Sequence, residues 1–232
     1  MINSSVQNLV GLRKRYRKMS MDEIRRLAGH PMWNDGEQVR TELFFPLPTT
    51  PWAAGQWTLR GWRQVAEHHV VDGVVAPHSL TEGVPKGELY RLGRFWCASS
   101  PESHVGPFLN AIDFLVPDGT PVLAAADGVI VEIIDHHADW GESEEFRDQL
   151  NYVTILHDSG EMTQYCHLAP GSVRSLGLRV GSRVKCGERI ATVGKTGWTD
   201  RDHLHFLVFR LDDHPDNPFG FKSLRVEFRR RY

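Results

Sequence analysis

The chain has 232 residues, 41% of them hydrophobic and 24% charged, enough to bury one good core and an accessory lobe. Its 27 basic and 29 acidic residues leave a formal net charge of -2, which excludes bulk attraction to nucleic acid. Cys97, Cys166 and Cys186 are odd in number and include no Cys-x-x-Cys pair, so neither a disulfide framework nor a thiolate zinc site is indicated.

Met1 to about His30 reads as basic and helical: Ser20 opens a capping-box pattern with Glu23, and Ile24, Leu27 and Ala28 share a face. The cluster Arg13, Lys14, Arg15, Arg17 and Lys18 reads as solvated helix charge rather than as a surface for an anionic partner. Residues 38–75 read as strands carrying Trp52, Trp57 and Trp62. They are broken at 45–51 by prolines that suit an edge or a linker. This part is expected to pack on the remainder of the chain. From Asp113 onward, short apolar runs at 122–126, 129–134, 152–156, 163–168, 184, 190–193 and 204–209 alternate with Gly, Pro, Asp and Ser clusters. That spacing predicts a mainly β domain of antiparallel strands, and no helical period of ten or more residues competes with it. At the C-terminal end, Lys222, Arg225, Arg229, Arg230 and Arg231 alternate with Leu224, Val226 and Phe228, which predicts a final amphipathic strand. The expected organisation is an N-terminal accessory region at 1–99 (a basic helix, then strands), a β domain at 100–212 and a C-terminal extension at 213–232.

Chemistry concentrates in three short segments. His203, Leu204 and His205 precede an apolar run, and in a strand the two imidazoles project from one face while Leu204 and Phe206 point to the other. Tyr165, Cys166, His167 and Leu168 form a second strand-like unit, which puts His167 on the face of Tyr165 and turns Cys166 toward the core. In Ala111, Ile112, Asp113 and Phe114 a carboxylate sits between apolar residues, where an ionised group is costly to bury unless it is paired or bound to a cation. A metal would account for it.

The segments AIDFLVPDGTPVLAAADGVIVEI (111–133), NYVTILHDSGEMTQYCHL (151–168) and VGSRVKCGERIATVGKTGWTDRDHLHF (180–206) resemble, in order and in local sequence, the zinc metallopeptidases of the M23 (LytM or lysostaphin-like) family, which cut peptide bonds in peptidoglycan. The resemblance covers roughly half of the chain, from about Ser103 to Arg210. It implies the M23-type antiparallel β fold, related to barrel-sandwich domains. The turn and strand pairs of residues 173–194 look like those of biotinyl and lipoyl carriers. It further implies a Zn2+ cofactor with Asp113 and His205 as ligands, His167 and His203 as catalytic histidines, and a peptide or peptidoglycan substrate.

One departure stands out. Most family members have a ligand histidine four residues before the aspartate, but that position is Leu109, which cannot bind zinc. His104, in a Ser-His-x-Gly unit similar to that of some branches, is the expected third ligand. Asn110 is a poor substitute, because zinc sites are built from Cys, His, Asp and Glu. With three protein ligands the fourth tetrahedral position takes water, whose pKa zinc brings from 15.7 to about 7. No His-Glu-x-x-His helix supplies a glutamate base, so His167 and His203 must move the proton and hold the oxyanion, in an order the sequence leaves open.

Other histidines read as structural. His136 and His137, near Asp135 and Asp139, open a polar loop that ends near Asn151 and carries Trp140, Glu142, Glu144 and Glu145, a candidate groove wall. His157 closes a strand before the turn at Asp158, Ser159 and Gly160, and is expected at the surface. Residues 1–30 hold no apolar signal region, and no stretch is long enough to span a membrane, so as written the chain reads as cytoplasmic, with either action at the wall following release by lysis or a phage-type holin, or a cytoplasmic peptide as its substrate. Two other readings are a non-catalytic M23-like binding or regulatory module, motivated by Leu109, and a carrier-like or phosphotransferase domain. The second is disfavoured, since no hairpin lysine is evident at 124–131 and a phosphohistidine domain would not need Asp113.

Overall fold

The computed structural model describes residues 19–34, 36–48, 68–71, 74–85, 87–93 and 95–229. The basic cluster from Arg13 to Lys18, the three tryptophans 52, 57 and 62, and Arg230 and Arg231 lie outside the described residues. In chain order the elements are α1 (Met21–Ala28), β1 (Leu43–Phe44), β2 (His68–Val71), β3 (Val74–Pro77), α2 (His78–Thr81), β4 (Leu89–Leu92), β5 (Phe95–Ala98), β6 (Ile112–Phe114), β7 (Pro121–Leu123) and β8 (Gly128–Ile134). They continue with β9 (Trp140–Gly141), β10 (Tyr152–Leu156), β11 (Met162–Cys166), β12 (Arg183–Val184), β13 (Arg189–Thr192), β14 (Gly197–Trp198), β15 (Leu204–Leu211), β16 (Phe221–Ser223) and β17 (Phe228–Arg229).

The fold is mainly β, as the periodicity predicts. Strands β12-β8-β10-β11-β15-β6-β5-β4 form one sheet in that order, with β16 pairing β15 beyond β6. All of these pairings are antiparallel. Smaller pairs complete the layout: β13 with β7 and β2 with β3 antiparallel, and two short parallel pairs, β14 with β9 and β1 with β17. Among the described residues no helix is long and apolar enough to cross a membrane.

One face of the sheet is sealed by a single apolar cluster that includes Phe114, Ile130, Val153, Tyr165, Phe206 and Val208. Tyr165 and Phe206 are cross-strand neighbours with ring centroids 5.3 Å apart, edge to face, an arrangement worth about 0.5–1.5 kcal/mol beyond the area it buries. The Tyr165 hydroxyl also accepts the amide of Ala125 at 2.8 Å, so the buried phenol is satisfied. The opposite face carries His205, Leu207 and Phe209 of β15 with Gln164 and Cys166 of β11, and opens into a groove. Helix α1 is capped as its sequence signals, with the Ser20 hydroxyl accepting the Glu23 amide at 3.2 Å. Its buried Ile24 packs with Met19, Met21, Trp33 and Phe219 at one end of the sheet.

Three expectations about side-chain direction are corrected. Tyr165 supplies the core residue of its segment, and Cys166, although buried, lies on the groove side with its thiol donating to Gln164 Oε1. His167 does not share the face of Tyr165: β11 ends at Cys166, and a left-handed backbone at His167 (φ 60°) breaks the alternation and turns the ring to the groove. His157 is buried at 4% exposure rather than at the surface. Its Nδ1 donates to the Asp127 carbonyl at 2.8 Å and its Nε2 lies 2.9 Å from Thr163 Oγ1, partners from neighbouring segments that make burial of the imidazole tolerable.

Candidate metal centre and active site

The centre is assembled where three adjacent strands end. Asp113 on β6 is directly paired in register with His205 on β15, and His205 is paired on its other side with Cys166 of β11. His203 immediately precedes β15, and His167 immediately follows β11. His104 arrives from the connection between β5 and β6, where its amide donates to the Ser100 carbonyl at 2.9 Å. The fold thus brings together all five residues singled out by sequence.

Asp113 is the hub, only 5% exposed. His205 Nδ1 lies 2.8 Å from its Oδ1, His104 Nε2 3.2 Å from its Oδ2, and His203 Nε2 3.6 Å from its Oδ1. Burial by itself pushes its carboxyl up, but the neighbouring imidazoles of His104, His203 and His205 outweigh that and hold it well below the ordinary carboxylate range. Among the described residues, His104, Asp113 and His205 are the one group of His, Cys, Asp or Glu side chains whose donor atoms converge, all within 4.8 Å of one another. His104 Nε2 is buried without a hydrogen-bond partner. An orphaned imidazole nitrogen aimed at a buried carboxylate and a second imidazole is a donor set that fits a zinc ion.

Leu109 and Asn110 take no part. Leu109 ends the short 3-10 turn at Gly106–Phe108 and is 39% exposed. The Asn110 side chain donates to the Ser223 carbonyl at 3.2 Å.

Beside this group stand the other two histidines, with ring centroids 4.4 Å apart. His167 Nδ1 donates to the Thr196 carbonyl at 2.7 Å, which leaves Nε2 as the ring's acceptor. Burial, reinforced by the His203 and His205 rings, keeps its pKa well below the usual imidazole value, so the ring is neutral. His203 Nδ1 lies 3.0 Å from the Arg201 carbonyl oxygen and 3.3 Å from Thr199 Oγ1. The Thr196 carbonyl reaches His167 because Gly194 lets the two backbones touch: a Cβ there would stand 2.5 Å from the Ala169 backbone.

Asp113, His167, His203 and His205 line a groove of about 600 Å³. The loop expected as a wall does line it, through Glu142, Arg147, Asp148 and Leu150. The facing wall, Val84, Pro85 and Glu88, carried no recognisable signal in the sequence. Ser100, Thr199 and Arg201 were missed as well, since their roles come from backbone atoms or from a single loop conformation. The His136 and His137 rings lie 4.2 Å apart, tilted by 36°, and Asn151 ties the backbone of His137 through both of its amide atoms. The nearby Asp135 is buried against Arg174.

Residues 107–218, just under half of the chain, match peptidase family M23. Asp113, His167, His203 and His205 fall inside the matched span, and His104 just ahead of it. An uncharacterized metalloprotease of Buchnera aphidicola subsp. Baizongia pistaciae is 34% identical over 115 residues, covering 49% of this chain and 26% of its own. The peptidoglycan DD-endopeptidase ShyA of Vibrio cholerae serotype O1 is 37% identical over 102 residues, covering 44% of this chain and 20% of its own. The chain therefore matches only a fifth to about a quarter of the length of these relatives. A crystal structure of a zinc containing peptidase from Vibrio cholerae is similar at 30% identity with a TM-score of 0.36, over 54% of this chain and 34% of that one. The family match and the peptidase names of these relatives support a hydrolase, and the His/Asp group is one that can bind a metal.

Proposed function

We propose that the chain is a zinc metalloendopeptidase that hydrolyses peptide bonds in peptidoglycan cross-bridges or stem peptides. His104, Asp113 and His205 hold the metal, and His167 and His203 carry the proton chemistry. The observation that carries the reading is the convergence of those three donors, with a buried His104 Nε2 3.2 Å from the Asp113 carboxylate. The peptidoglycan endopeptidase name of the Vibrio cholerae relative supports the substrate.

When bound, zinc polarises a carbonyl and brings the pKa of a water from 15.7 to about 7. His167, neutral and pinned through Nδ1, takes the attacking water's proton on Nε2 and delivers it to the leaving amine nitrogen as the C–N bond breaks. His203, held at Nδ1 by the Arg201 carbonyl and Thr199, steadies the oxyanion that develops on the scissile carbonyl. The groove walls select the peptide, and their burial of the centre strengthens each electrostatic contact.

Elemental analysis of the purified protein, together with release of new amino groups from crosslinked peptidoglycan, tests the proposal. About one zinc per chain is expected, with hydrolysis abolished by a chelator and restored by zinc. His167→Ala is expected to keep the metal and to lose about 10²- to 10⁴-fold in rate. A wild-type protein that takes up no zinc would instead be a binding module on a peptidase fold, and a His167→Ala protein without metal would make that residue a ligand.

A further inference from the structure

Ser100 combines two contacts at the metal group with an unusual backbone. Its hydroxyl donates to Asp113 Oδ2 at 2.5 Å. Its carbonyl accepts the amides of Ser103 at 3.0 Å and His104 at 2.9 Å, closing the turn that carries His104. It holds φ at 42°, in the left-handed region that side chains other than glycine rarely adopt. A non-glycine residue kept in such a conformation beside a buried carboxylate is where a functional side chain is to be sought.

We propose that Ser100 is a positioning residue for the metal group, an inference that rests on the zinc reading above. The hydroxyl fixes the Asp113 carboxylate through Oδ2, with His104 Nε2 3.2 Å from that oxygen and His205 Nδ1 2.8 Å from Oδ1, and so sets how the carboxylate would be offered to an ion. The carbonyl of the same residue sets where His104 returns over the carboxylate. One residue therefore orients two of the three donors. Groups that orient ligands in this way tune metal affinity without touching the ion.

Glycine and alanine separate the hydroxyl from the backbone. Both lack the hydroxyl, but glycine adopts a positive φ without strain and alanine does not. Zinc affinity of the full chain is measured by competition with a chromophoric chelator, and the melting temperature of each metal-free protein is measured alongside. Ser100→Gly and Ser100→Ala are both expected to bind zinc about 10- to 100-fold more weakly than the wild type, while metal-free Ser100→Gly melts above metal-free Ser100→Ala. Wild-type zinc affinity in Ser100→Gly would overturn the inference, because the backbone alone would then shape the site. Should Ser100→Ala not fold, Ser100→Gly decides the question alone. A wild-type protein that binds no zinc would overturn the underlying reading too, an outcome separate from a variant that binds as well as the wild type.

Discussion

Replacing His104 with alanine is expected to weaken zinc binding by about 10²- to 10³-fold. Structural zinc sites release about 10–16 kcal/mol over four ligands, so one imidazole accounts for about 3–4 kcal/mol, and each 1.4 kcal/mol is about tenfold in affinity. The fold is expected to survive, because Asp113 loses the His104 contact at 3.2 Å but keeps the Ser100 hydroxyl and His205. A chelator competition near neutral pH reads the affinity, and circular dichroism checks that the metal-free variant is folded. The double variant His104→Ala with Leu109→His supplies the decisive comparison. Family spacing would make a histidine at 109 a ligand, yet Leu109 is exposed at the end of the turn that follows His104, so the double variant is expected to bind zinc no better than His104→Ala. Wild-type affinity in the single variant, or its recovery in the double one, would refute the geometry described here.

Gly194→Ala is expected to destabilise the protein by about 1–3 kcal/mol in urea unfolding, because the new methyl meets Ala169 backbone atoms that cannot rotate aside; hydrolysis should fall with it, since the Thr196 carbonyl that orients His167 moves. Glu161, 1% exposed, accepts the amides of Arg40 and Thr41 at 2.8 and 2.7 Å and the Ser159 hydroxyl at 3.1 Å. Burial raises its pKa, but these bonds and that from the Thr41 hydroxyl hold it below the ordinary value of 4.5. Its stabilisation is therefore complete above about pH 5 and lost as the pH falls through the lower, folded-state value. Glu161→Gln should cost about 2 kcal/mol at neutral pH and flatten the acid limb of a stability-against-pH curve, and an unchanged limb would count against the network. For His157, burial lowers the pKa below 6.5, the Asp127 carbonyl opposing it only in part. The unfolded chain then binds the proton more readily, so stability should decline as the pH falls through about 6.5. His157→Gln, compared by thermal melts across that range, should lose this part of the decline.

Strand existence was legible because burial on one face writes a period of two into the sequence, and the runs at 129–134 and 152–156 correspond closely to β8 and β10. The 163–168 run was not read correctly at its end. Alternation assumes an unbroken strand, and a single left-handed residue, His167, reverses which face each following side chain takes. The same limit hid His157, whose inward direction depends on an Asp127 carbonyl from a neighbouring segment. Asp113, His167, His203 and His205 were visible because their residue types and spacings are unusual in apolar runs. Ser100 was not, since a serine in a turn is ordinary until its φ and the position of Asp113 are known.

The displacement of the proposed ligand to His104 follows from strand register rather than from residue counting. Ala98, the last residue of β5, pairs directly with Asp113 on β6, so the connection between them leaves from a point beside the carboxylate. Within a few residues the turn from Ser100 to His104 folds the chain back, and its imidazole comes to rest 3.2 Å from Asp113. Beyond it, Gly106 at φ 56° and Pro107 open a 3-10 turn that carries the chain away, so that Leu109 is exposed and Asn110 is bonded to Ser223. A histidine four residues before the aspartate would lie on the outbound side of that turn. In this chain the first half of the connection is the part that returns to the carboxylate, so a ligand proposed from this connection belongs there.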